Sequence, residues 1–423
     1  MAHIVILGGG IGGISAAYEM KKLRRREDRV TLISDTDYFQ FTPSNPWVGV
    51  GWRRPEQIKV SLGPVLERQR MDFIGTGAKR VHPQSNEIEL NDGRRVGYDY
   101  LIIATGPRLA FHEIEGLGPA GHTQSVCTVD HALRSAEAWQ RFVADPGPIV
   151  VGAVQGASCF GPAYEFAFIM DADLRRRRIR DRVPMTFVTA EPYIGHLGLG
   201  GVGDSKTLME SEMRDKHIKW VCNARITKAD AGKLHAVELD DLGKEKRTHE
   251  LPFKYAMILP AFMGVEAVAG VEGLTNPRGF VLIDEYQRNP KFQNIYSVGV
   301  CVAIPPIEQT PVPTGVPKTG YMIESMATAA CENIRAALDG RAPHARATWN
   351  AICLADMGDT GTAFVAIPEI PPRNVNWMKK GKWVHWLKVG FEAYFLRKVR
   401  KGLGEPVYER MVLKAMGLER LRA

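Results

Sequence analysis

Apolar and polar residues along this chain fall into blocks that predict strand, glycine turn and helix, twice over. Residues 3–20 read HIVILGGGIGGISAAYEM. They predict a β-branched strand to Leu7, a turn over residues 8–13, and an Ala-containing helix. A further strand is predicted from Val30 to Ser34. Residues 148–165, PIVVGAVQGASCFGPAYE, repeat the strand, small-residue turn and helix. YDYLIIATGP (98–107) and NIYSVG (294–299) are apolar runs of strand length, each of which alone reads as an ordinary core strand. Strands alternating with helices predict an α/β fold with parallel sheets. No run of 18 apolar residues occurs, so no spanning helix is expected. The N-terminus passes directly into a strand, so no secretory signal is expected.

The tail carries a different pattern. Within residues 377–401, Trp383, Trp386, Leu387, Gly390, Phe391, Tyr394 and Phe395 recur at three- and four-residue steps. This spacing predicts one apolar helical face, edged by Lys382, Lys388, Arg397, Lys398, Arg400 and Lys401. Val407, Tyr408, Met411, Val412, Ala415 and Met416 repeat the pattern after Gly404 and Pro406. Trp and Tyr beside Lys and Arg is the composition of a helix lying in a bilayer interface. A helical pair packed on its own core or on a partner subunit has the same spacing.

Charge favours the interface. Formal net charge is +8, and the last 51 residues carry 13 Lys or Arg against four Glu. The other residues hold 42 basic and 43 acidic groups. The excess therefore belongs to the tail, where each cation contributes about 1 kcal/mol toward an anionic surface. A nucleic-acid enzyme carries its excess around its site instead. Length, 423 residues, implies two domains or more. RRRRIRDR (175–182) reads as a solvated helix end.

The first turn has the spacing of a dinucleotide site. Gly8 allows the tight turn, Gly10 lets backbone approach a pyrophosphate, Gly13 lets helix pack on strand, and Gly12 completes the loop. The strand before a ribose-binding acid ends on Ser34, with Asp35 one place later. The run ending in Ala104, Thr105 and Gly106 resembles the flanking strand of flavoproteins with two dinucleotide-binding domains. NIYSVG resembles their second FAD segment, in which an Asp follows the glycine. Here Val300 follows Gly299. In this order the segments favour FAD in the first site.

The second turn is altered. Gly152, Val154 and Ala157 fall on its three glycine positions, and Cys159 falls where many reductases place an acid just inside the helix. The fold unit is expected to persist while its nicotinamide chemistry is lost. A cysteine in a first helical turn lies in a positive backbone field, which predicts a lowered thiol pKa. The alternative is a buried small hydrophobe. Cys127, Cys222, Cys301, Cys331 and Cys353 complete the set. None forms a C-x-x-C pair, so no metal site is expected.

At this point the chain resembles the sulfide:quinone oxidoreductases, membrane-associated FAD enzymes of the disulfide-reductase superfamily. The matching stretches are DYFQFTPSNPWVGVGW (37–52), SVCTVDHA (125–132), GASCFGPAYEF (156–166), EPYIGHLG (191–198), TPVPTGVPKTGYMIESMA (310–327) and WNAICLADMGD (349–359). The resemblance implies an α/β fold of two Rossmann-like domains, the second inserted in the first, plus C-terminal amphipathic helices. Expected bounds are 1–115 and 283–345 for the FAD domain, 116–282 for the insert and 346–423 for the tail.

It implies that Cys159 and Cys353 form the redox pair, joined through bridging sulfur, and that Cys127 serves sulfide entry or product release. His131, His196 and Glu165 resemble residues of that pocket, and Lys318 and Thr319 resemble residues near the flavin ring. Phe41, Asn350, Phe391 and Tyr408 match quinone-lining positions. Leu354 follows Cys353 where an aromatic is common. Implied partners are sulfide, quinone and a membrane surface, with a homo-oligomer possible and peripheral placement on the cell membrane. Rival readings are the flavin subunit of a flavocytochrome sulfide dehydrogenase, a type II NADH dehydrogenase, and a sulfur-binding sensor.

Overall fold

The computed structural model describes residues 1–415 and 417–422. Met416 of the tail pattern lies outside them. The first sheet has five parallel strands in the order 295–297, 100–103, 3–7, 29–33, 72–74. Its central strand is fully apolar from Ile4 to Leu7, as a strand covered on both faces requires. Leu7 lies opposite Ile33 and Ile103, so three strands end level. Gly8, Ser34 and Ala104 therefore share the carboxyl edge of the sheet, where open α/β sheets bind ligands.

A second parallel sheet runs 218–221, 185–189, 149–153, 255–259. An antiparallel sheet of residues 224–230, 233–239 and 245–252 accompanies it. The chain then returns to the first sheet at Ile295 and enters the helix Gly320–Leu338, which packs on the helix Ile11–Leu23. The second unit is thus inserted within the first.

Three antiparallel strands, Ala351–Asp356, Gly361–Ile367 and Val375–Gly381, precede the tail helix Lys382–Lys401. Trp377 and Met378 belong to the last strand rather than to the helix. The helix packs on the first two of these strands. A second tail helix spans Val407–Ala415. Among the described residues no helix is long and apolar enough to cross a membrane.

The tail's polar edge differs from the sequence expectation. Lys388 and Lys398 are buried at 2% and 4% exposure, not set along the rim. Lys398 Nζ lies 2.5 Å from Glu324 and 3.0 Å from Glu409. Buried Arg420 meets Glu409 at 2.5 Å, Glu324 at 3.2 Å and Glu405 at 3.3 Å. Burying these cations is tolerable because each is paired. Phe395 also turns inward, stacking on Phe39 at 5.9 Å. The 175–182 run departs from a purely solvated end as well. Arg175 and Arg180 bind buried Asp171, and Arg177 binds buried Asp173.

Candidate active site

The first turn is built as its glycines require. Gly8 has φ +118°, and a Cβ there would lie 2.2 Å from the Ala104 carbonyl oxygen. A Cβ on Gly13 would lie 1.8 Å from the Gly8 oxygen. At Gly10 a Cβ meets no atom within 4 Å, and no side chain caps the helix that begins at Ile11. Free amides facing open space at a helix N-terminus suit a diphosphate. Gly12 instead faces Val298 and Ile323, so its job is packing.

Ser34 is buried, and its Oγ accepts from the Thr36 amide at 3.3 Å. Asp35 is exposed beside it. Ala104, Thr105 and Gly106 continue from the strand, with Gly106 at φ +68°. Gly299 has φ +84° and opens the short turn that holds Val300. Thr319 caps the helix Gly320–Leu338 in position, yet its buried Oγ1 has no protein partner. A glycine cradle, an orphan hydroxyl and a cation at Lys318 together fit a flavin dinucleotide.

The second turn is closed by the chain itself. A Cβ on Gly152 would lie 1.7 Å from the Val188 oxygen, which explains that glycine by packing alone. Val154 is buried. The Gly156 amide donates to the Pro313 oxygen at 2.6 Å, and the Gly315 amide donates to the Ala157 oxygen at 2.8 Å. The segment 312–316 therefore lies on the turn. Glu191, just past the end of the second strand, is fully buried and accepts from the Tyr164 and Thr189 hydroxyls and the Leu197 amide. Burial holds its carboxyl up at about 7.

Cys159 does not occupy a first helical turn. The helix runs from Gly161 to Arg176, with Pro162 in its first turn, and Cys159 precedes the N-cap Phe160. The expected lowering of its pKa is overturned as well. Burial pushes the thiol up to about 12, and the charges of Cys353, Cys127, Glu369 and Glu165 push the same way. Three thiols thus share one electrostatic neighbourhood. Cys353, on the strand opposite Phe364, is raised to about 12, first by burial and then by Glu165. Cys127 is raised to about 11 by burial, with Ser125 opposing. All six cysteines are free thiols. Cys301 and Cys331 are buried, and Cys222 packs against the core of the second unit.

The two histidines are placed differently. His131, on the helix Val129–Ala144, lies with Nδ1 3.3 Å from Ser125 Oγ, which also accepts from the Cys127 amide. Ser125 thus links this imidazole to Cys127. His196 is bound to Glu308 rather than to a thiol. Its Nδ1 accepts from the Gly198 amide at 3.2 Å, which leaves Nε2–H to donate to Glu308 at 2.7 Å. Burial lowers both imidazoles below their ordinary value.

Glu165 lies in a buried network that the sequence pattern did not expose. Lys388 from the tail helix hydrogen-bonds to it, and the Asp356 amide donates to it at 3.3 Å. Burial raises its carboxyl to about 7, against the pull of Lys388. Asp356 accepts from the Trp47 indole at 2.7 Å and lies 2.7 Å from His385 Nδ1.

Near the tail, buried Phe41 meets Phe391 at 5.8 Å and Phe395 at 5.3 Å, and Tyr408 meets Tyr394 at 6.2 Å. Phe391 and Tyr408 are exposed. Asn350 is buried and Leu354 half-buried. Asn45, which sequence reasoning missed, is fully buried with neither amide atom partnered.

Lys318 and Glu369 share the electrostatic neighbourhood of Cys159, which together with Cys127 and Cys353 makes up the thiol chamber. Burial lowers Lys318 to about 8, against the charges of Glu369, Cys301 and Cys159. No motif or spacing marks Glu369 in the sequence.

Paired dinucleotide folds with thiols beside a flavin cradle define a flavin-linked oxidoreductase of the disulfide-reductase type. The pyridine nucleotide-disulphide oxidoreductase family matches residues 2–329. The sulfide-quinone reductase of Aquifex aeolicus is 44% identical, over 97% of this chain and 94% of its own. The mouse mitochondrial sulfide:quinone oxidoreductase is 23% identical, over 72% of this chain and 66% of its own. The X-ray structure of the Aquifex aeolicus sulfide:quinone oxidoreductase superposes with TM-score 0.94 at 43% identity, covering 98% of this chain and 95% of that one. The chain belongs to the pyridine nucleotide-disulphide oxidoreductase family and, within it, to the sulfide-quinone reductases. Its cofactor is FAD.

Proposed function

We propose that this protein oxidises sulfide to zero-valent sulfur and passes the electrons to a membrane quinone. The observation that carries this reading is the meeting of Cys127, Cys159 and Cys353 in one electrostatic neighbourhood, in a chain 44% identical to a sulfide-quinone reductase.

FAD, when bound, accepts two electrons and returns them to a second substrate. The protein's part is to hold and time the sulfur. Sulfide attacks a sulfur bridge between Cys159 and Cys353, and one cysteine leaves as thiolate. Burial makes that thiolate a high-energy group unless a positive neighbour receives it: Lys318 shares the charge field of Cys159, and Lys388 that of Cys353. Cys127, bonded through Ser125 to His131, suits the passage of sulfur and protons. The filled second turn supports a reductant other than NADH.

The tail supplies the acceptor's route. Among the described residues, eight of the twelve exposed large hydrophobics are Trp383, Trp386, Leu387, Phe391, Val407, Tyr408, Met411 and Val412. A patch of this kind rimmed by cations fits a bilayer interface. From it, Phe391 leads to buried Phe41, a path of aromatic faces for a quinone ring. The test is anaerobic flavin absorbance during sulfide addition, followed by a soluble quinone analogue. Bleaching and recovery support both half-reactions. Flavin-loaded protein that sulfide leaves oxidised overturns the reading.

A further inference from the structure

Glu369 follows the strand Gly361–Ile367, in the connection that leads to the strand Val375–Gly381. It is 0% exposed, and among the described residues no protein group donates to either carboxylate oxygen. Its backbone is pinned. Its amide donates to the Trp349 oxygen at 2.9 Å, and Arg373 Nε donates to its carbonyl at 2.9 Å. Arg373 spends its other donors on the Leu199 and Gly201 oxygens at 2.6 Å. The side chain is therefore held in place while its acidic end is left unbonded. A buried carboxyl without a donor is costly to keep, and in a native structure it calls for a role.

What surrounds that end is chemically specific. The charge of Glu369 acts on Cys159 and Cys353, and Lys318 and Arg373 act on it. The other named acids are committed: Glu165 to Lys388, Glu191 to three donors, Glu308 to His196.

We propose that Glu369 is the proton acceptor for hydrogen sulfide in the thiol chamber. The inference rests on the sulfide reading above. As the sulfide sulfur bonds to one bridge sulfur, the bond to the other cysteine breaks, and that cysteine keeps the electron pair as thiolate. The proton leaves sulfide for the Glu369 carboxylate. Hydrogen sulfide loses its first proton near neutrality, and an acceptor works best when its own pKa lies close to the working pH. Burial raises Glu369 to about 8, with Lys318 and Arg373 opposing.

The experiment compares wild type with Glu369→Gln at equal flavin loading. It records the rate of anaerobic flavin bleaching by sulfide from pH 6 to 9, about two units below the carboxyl's midpoint and one above it. Wild type shows a rate limb that rises as Glu369 ionises near pH 8. Glu369→Gln loses that limb and slows by on the order of a hundredfold. A second readout needs no turnover. Removing the charge lowers the titration of Cys159 and Cys353, so alkylation of the reduced thiols speeds up at fixed pH. An unchanged limb and unchanged alkylation overturn the assignment. A wild type that sulfide does not bleach overturns the reading beneath it instead. Where Glu369→Gln fails to hold flavin, Glu369→Asp carries the comparison. A displaced limb supports the role, and an unmoved one removes it.

Discussion

The molecule contains two strand–turn–helix units of the same design, and they have been put to different uses. At the first turn a Cβ on Gly10 meets nothing, and backbone amides stay free. At the second, Val154 fills the matching position and residues 312–316 hydrogen-bond across the turn. One unit keeps its nucleotide cradle. The other is closed by the chain itself into a wall, with Cys159 just ahead of its helix. A Rossmann-like unit can thus be closed to a ligand and keep its fold, because Gly13 packs on the Gly8 carbonyl and Gly152 on the neighbouring strand at Val188, neither contact passing through a ligand.

The largest expected effect tests the wall. Cys159→Ala and Cys353→Ala each slow sulfide-dependent flavin bleaching by on the order of 10³-fold or more, as expected for groups that act as a unit. Cys127→Ala leaves a partial rate. Stopped-flow absorbance distinguishes these outcomes, and a normal rate in either of the first two removes the sulfur bridge. Next comes the cradle. Gly10→Val lowers copurifying flavin by roughly tenfold, about 1.4 kcal/mol of affinity, read from the absorbance ratio of the purified protein. A smaller effect concerns the seat. Trp386→Ala removes one exposed aromatic, and vesicle partitioning weakens by about 1–2 kcal/mol. Partitioning that does not change removes this face as a membrane seat. The smallest is an expected absence of effect. Val154→Gly restores a glycine to the second turn, yet NADH still bleaches the flavin slowly, because 312–316 remains in place. Fast bleaching by NADH in that variant breaks the contrast between the turns.

Thiol chemistry adds a pH dependence. With Cys159 and Cys353 raised to about 12, roughly one thiol in ten thousand is ionised at pH 8. Alkylation of the reduced pair is therefore slow at neutrality and accelerates as pH rises. A plateau below pH 8 contradicts the burial described here.

The fold class and the first turn were legible in the sequence because glycine roles are local. Gly8, Gly10 and Gly13 each answer to a steric demand set within a few residues. The alteration at Val154 was visible for the same reason. Cys159 was placed two residues too far into its helix, since Gly161 and Pro162 start that helix later than the spacing suggested. Lys388 and Lys398 were assigned to the rim because they alternate with exposed aromatics. They turn inward because Glu165 and Glu324, far away in sequence, meet them there. Glu369 has no signature of any length. Only tertiary packing leaves its carboxyl without a donor.

The inward turn of Lys388 has a mechanical consequence. The helix that exposes Trp386 also holds Lys388 against Glu165, whose charge acts on Cys353. A helix of 20 residues is a stiff rod about 30 Å long. Tilting it moves the Lys388 charge relative to Glu165 and Cys353. On the membrane seat proposed above, bilayer thickness and charge act as reaction variables alongside pH, and a detergent micelle is then a different chemical medium, beyond being a different container.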